Sequence, residues 1–85
     1  MLTYQDVYKA FIEAYYRTLP KGTGCTIAIV ALSEISPLAV IQLELWSPAT
    51  TLSHRWVTVI SGDNFESLAT SIQNAIREQL HQIGC

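Results

Sequence analysis

The chain has 85 residues, of which 49% are hydrophobic and 14% charged, and its formal charge is −2. Such apolar content excludes an intrinsically disordered chain. Five Lys and Arg against seven Asp and Glu exclude the clustered positive charge on which a dedicated nucleic-acid binder relies. At this length the expectation is a single domain, residues 1–85.

The spacing predicts a first helix over residues 3–19. Thr3 suits the N-cap, and Asp6, three residues on, favours the positive end of the helix dipole. Tyr4, Tyr8, Phe11, Tyr15 and Leu19 recur at helical spacing, with Val7, Ile12 and Ala14 beside them, and are expected to form the core-facing stripe, Tyr4, Tyr8 and Tyr15 half-buried with their hydroxyls at the rim. Tyr16 falls off that stripe and is the candidate contact residue of the helix. On the opposite row Lys9–Glu13 and Glu13–Arg17 are spaced for ion pairing. Pro20 and the glycines of Lys21-Gly22-Thr23-Gly24 then end the helix. A phosphate loop would need its lysine after the glycines and a helix next, so this segment reads as a turn.

Three strands follow, over residues 25–32, 38–46 and 54–60. The first is apolar on both faces, as in a strand covered on both sides. The second has one fully apolar row and one mixed row. Ser61-Gly62-Asp63-Asn64 breaks the third strand and opens a last helix to about residue 83, with Asp63 as N-cap and Glu66 three residues on. Its apolar stripe is Phe65, Leu68, Ala69, Ile72, Ala75, Ile76, Leu80 and Ile83.

Short connections make neighbouring strands antiparallel. The expected fold is therefore an α+β two-layer sandwich in the order α-β-β-β-α, with both helices on one face of a three-stranded antiparallel sheet. The expected core-facing rows are Ile27/Ile29/Ala31, Ala39/Ile41/Leu43/Leu45 and Val57/Val59.

That element order resembles the double-stranded-RNA-binding domain. The family's lysine cluster would fall on Asp63, Asn64, Phe65 and Glu66, where carboxylates repel phosphate, so the resemblance implies topology and no RNA contact. The segment from Ser61 to Leu68 is similar to the strand-to-helix corner of small antitoxins of the HicB type.

No motif identifies a reaction. No Ser sits in a Gly-x-Ser-x-Gly elbow. Cys25, His54, His81 and Cys85 include no Cys-x2-Cys pair, so neither metal nor cofactor is expected. The two cysteines read as free thiols. The N-terminus lacks the pattern of a signal peptide, and no apolar run approaches the ~20 residues that span a bilayer. The expected setting is cytoplasmic, without membrane or nucleic-acid partners.

The candidate surface is the sheet face away from the helices. It is expected to present Val40, Gln42, Glu44, Trp46, His54, Trp56 and Thr58, flanked by Val30, Leu32, Leu38 and Ile60, with Arg55 as a further contact. Three readings of it stand. The first is a non-enzymatic interaction or regulatory module acting as a homo-oligomer, since large apolar patches mark interfaces. The second is a site for a small planar, nucleotide-like ligand between subunits, held by Trp46, His54, Arg55 and Trp56. The third is acid–base catalysis by Glu44 and His54. A homodimer would form face to face through both tryptophans, or edge to edge through the first strand, which has no Lys or Pro to guard it.

Overall fold

The computed structural model describes residues 2–19, 21–46 and 53–82. Their elements are α1 (Tyr4–Thr18), β1 (Gly24–Leu32), β2 (Leu38–Trp46), β3 (His54–Ser61) and α2 (Phe65–Gln82). The strands form one antiparallel sheet in the order β1-β2-β3. The expected fold class and element order are those of the structure. Among the described residues no helix is long and apolar enough to cross a membrane.

Local chemistry sets the boundaries. Thr3 caps α1 as expected: its hydroxyl accepts from the Asp6 amide at 3.1 Å, and the Asp6 carboxylate accepts from the Thr3 amide at 3.0 Å. Gly22 takes φ 88°, a conformation glycine adopts without penalty, which confirms the turn after α1. In the β1–β2 hairpin the Ser33 hydroxyl accepts from the amides of Ile35 and Ser36. At α2 the cap is Asn64, not Asp63: its side-chain oxygen accepts from the Ser67 amide at 2.9 Å, and the Ser67 hydroxyl accepts from the Asn64 amide. Glu66 is thereby released from capping and turns to Arg17 of α1 instead.

One apolar cluster joins Val7, Ala10, Phe11 and Ala14 of α1 and Leu68, Ala69, Ile72, Ile76 and Leu80 of α2 to the sheet residues Cys25, Ala39, Ile41, Leu43, Leu45 and Ile60. These sheet residues share one face in the ladder, so both helices cover that face. α1 packs over β1, and α2 over β3.

Three expected rows are corrected. On β1 the ladder shifts between Ile29 and Ala31, so two residues, Val30 and Ala31, stand opposite Val40. The bulge reverses the alternation: Ala31 is exposed, and Leu32 packs against the core instead. On β3 the row is inverted. Val57 and Val59 are 58% and 60% exposed, while Trp56 and Ile60 turn toward the helices. Burying indole and isoleucine removes more apolar area from water than burying two valines. It also leaves Arg55, in the row of Val57 and Val59, in water, where its charge costs least. On α1 the core takes Val7, Ala10, Phe11 and Ala14, while Tyr4, Tyr8 and Ile12 are exposed. The two alanines let α2 approach, and the tyrosine hydroxyls keep their water. Phe65 at the head of α2 is also exposed, whereas Ile83 lies outside the described residues.

Candidate functional site

The β3 inversion divides the candidate surface between two faces. Val40, Gln42, Glu44, Trp46 and Arg55 stand on the helix-free face. His54, Trp56 and Thr58 pair across the ladder with Leu45, Leu43 and Ile41, and so face the helices. His54 Nε2 lies 2.6 Å from Gln79 Oε1 of α2, and its ring sits 5.7 Å from that of Trp56. Leu32 and Ile60, expected beside them, belong to the helix side as well.

The two tryptophans are therefore on opposite sides of the sheet and cannot share one ligand or one sheet-face contact. Glu44 and His54 are likewise on opposite faces and form no acid–base pair. Glu44 is engaged by its neighbours: the Ser53 hydroxyl, and after it the Arg55 guanidinium, hold its carboxyl below the usual range. Arg55 Nη2 approaches Glu44 Oε2 at 3.4 Å.

What the helix-free face does gather is apolar. Val57 and Val59 join Val40, Leu38 and Trp46, with Ala28, Val30 and Ala31 along β1. Ala31, Leu38, Val40 and Val59 help line a shallow apolar depression at one end. At the other end the Trp46 indole covers Gly24. Glu44 and Arg55 bring one opposite pair of charges between these ends.

Two features were missed in the sequence. A cleft of about 190 Å³ opens between the N-terminal ends of the helices, lined by Leu2, Asp6, Lys9, Pro37, Phe65 and others. Its Asp6 is occupied by the Thr3 cap. The second is an exposed aromatic row on α1, formed by Tyr4, Tyr8, Ile12 and Tyr16. The constant spacing of four residues is its signal, whereas the core-facing stripe takes in Tyr4 and Tyr8 with Ile12 beside them. Tyr16, picked out as the contact residue, is the most open of these at 79%.

Cys25 is buried on the helix side, and that burial pushes its thiol up to about 12. Among the described residues no three metal-ligating side chains come together. In comparison with known proteins, no family model, no curated relative and no solved structure matches the chain.

Proposed function

We propose that the chain is a non-enzymatic interaction module that acts as a homo-oligomer, assembling face to face through the helix-free side of its sheet. One observation carries this reading: Val57 and Val59 lie exposed beside Val30, Leu38 and Trp46 on a face whose charges cancel. Antiparallel sheets open to water normally alternate to polar residues on that side.

A second copy suits this surface. Strands of eight or nine residues, three abreast, make a plate of about 15 by 28 Å. With side-chain relief this clears the roughly 500 Å² per partner that a specific interface needs. Two-fold symmetry places the same patch on both copies, so Glu44 of each can exchange Arg55 with its partner without net repulsion. The depression beside Val59 offers a seat for an apolar side chain of the other copy. Such stacked sheets pack about 10 Å apart.

Edge-to-edge pairing through β1 is less suited. α1 stands over β1, and paired strands lie about 4.8 Å apart. Two copies of α1 would then be pressed closer than the 8–10 Å that packed helices need. The overhanging helix thus guards an edge that has no Lys or Pro of its own.

Light scattering after gel filtration tests the reading. Val57→Glu/Val59→Glu, on exposed positions, lowers the assembled mass while circular dichroism stays native. Thr70→Glu, exposed on α2, leaves the mass unchanged. A mass equally unmoved by the valine substitutions refutes the sheet face as the contact.

A further inference from the structure

We infer that the cleft between the N-terminal ends of the helices binds a small zwitterion with an apolar side chain, a free amino acid of about the size of leucine, its carboxylate on Lys9 and its ammonium on Asp63. It does not rest on the sheet-face reading.

Both charges are left over from the local chemistry of the helices. Glu13, spaced to pair with Lys9, goes to Arg17 at 3.0 Å instead. Asp63 yields the cap of α2 to Asn64. Among the described residues neither Lys9 nor Asp63 enters an ion pair. Yet both line the same cleft, Lys9 from α1 and Asp63 from the corner between β3 and α2. Because they do not reach each other, the gap between these opposite charges is open to a third body.

Much of the remaining lining is apolar. Leu2 and Leu68 belong to the core and turn toward the cleft as well. Phe65 also lines it and is 48% exposed, so its ring has area to bury against a ligand. The walls are fixed beforehand. The Thr3–Asp6 capping box holds the end of α1, and the Asn64–Ser67 bonds hold that of α2. Between them the Gly62 amide donates to the Pro37 carbonyl at 3.1 Å. A preformed site spares a ligand the cost of ordering it.

Charge selects the class of ligand. A phosphate or a simple carboxylate meets Asp63, and Asp6 besides, whose carboxylate is already held by the Thr3 amide at 3.0 Å. A simple amine meets Lys9. A molecule that carries both charges finds a partner for each. Size agrees with this. The cleft holds about 190 Å³, the share of about six water molecules in the liquid. That suits a molecule of leucine's bulk and falls below the roughly 300 Å³ at which sites for larger ligands begin.

Calorimetric titration and thermal shift of the full chain with L-leucine test the assignment. Leucine binds saturably and raises the melting temperature by mass action. Isocaproate, which lacks the ammonium, and isoamylamine, which lacks the carboxylate, each bind at least about tenfold more weakly, as the loss of one charge-assisted hydrogen bond entails. Lys9→Met and Asp63→Asn, both at exposed positions, keep a native circular dichroism spectrum and weaken leucine by a similar factor. Thr70→Gln, exposed on α2 outside the cleft, leaves the affinity unchanged. So does Val57→Glu/Val59→Glu, so the cleft and the sheet face stand or fall separately. Absence of leucine binding overturns the inference. Isocaproate bound as tightly as leucine overturns it too, as does an affinity that Asp63→Asn leaves untouched.

Discussion

The indole of Trp46 lies against the backbone of Gly24, its partner across the β1–β2 ladder. A methyl group at position 24 would stand 2.7 Å from Nε1 and closer still to Cε2 and Cζ2. Glycine is thus required here by an approach between ring and chain, not by a turn. The ring end of the helix-free face depends on it.

Gly24→Val therefore displaces the indole into water. The chain has two tryptophans, so Trp56→Phe makes Trp46 the sole tryptophan, excited selectively beside the four tyrosines. In that background the emission moves to longer wavelength, and stability falls by about 1–3 kcal/mol as in other overpacked sites. Unchanged emission contradicts the seat described for the ring.

The Arg17–Glu66 pair makes stability depend on acid. Its hydrogen bonds and charge hold the Glu66 carboxyl below its ordinary value of 4.5. A lowered native pKa stabilises the fold above the unfolded value, and that contribution is lost as pH falls through the native one. Glu66→Gln consequently lowers the melting temperature at neutral pH. The gap between variant and native chain closes as the pH is taken below about 4. A gap constant with pH refutes the pairing as its source.

Cys25 titrates in the opposite sense. Burial raises its thiol from 9.0 to about 12. A raised native pKa means the fold is favoured fully below the unfolded value, and the contribution declines as pH climbs from about 9 toward 12. With Cys85→Ser to leave one thiol, a disulfide reagent at mildly alkaline pH reacts only when denaturant is added. Rapid labelling of the native protein would show the thiol open to solvent.

The cap of α2 separates two adjacent residues. Asn64→Ala removes the acceptor of the Ser67 amide and costs about 1 kcal/mol in denaturant unfolding. Asp63→Ala changes little. The reverse ranking would return the cap to Asp63.

Element order was legible because strand and helix periods differ and because Pro20, Gly22 and Gly62 interrupt them. All three strand starts came within a residue of the structure. Facing was harder to read. On β3 both rows are apolar, Trp56/Ile60 against Val57/Val59, and only Arg55 marks which belongs outside. The bulge at Val30 has no glycine to announce it, yet it reverses Ala31 and Leu32. On α1 the apolar residues spread over half the circumference. The choice of Ala10 and Ala14 over Tyr4 and Tyr8 is made by the approach of α2, which no spacing within α1 records. The candidate site inherited these errors: Val40, Gln42, Glu44, Trp46 and Arg55 were placed together, whereas His54, Trp56 and Thr58 went to the other face.

Self-association is the claim on which the functional reading depends, and light scattering of the unmodified chain measures it directly. Across micromolar concentrations the account predicts a mass of at least twice 9.5 kDa. A mass that stays at 9.5 kDa throughout that range contradicts it.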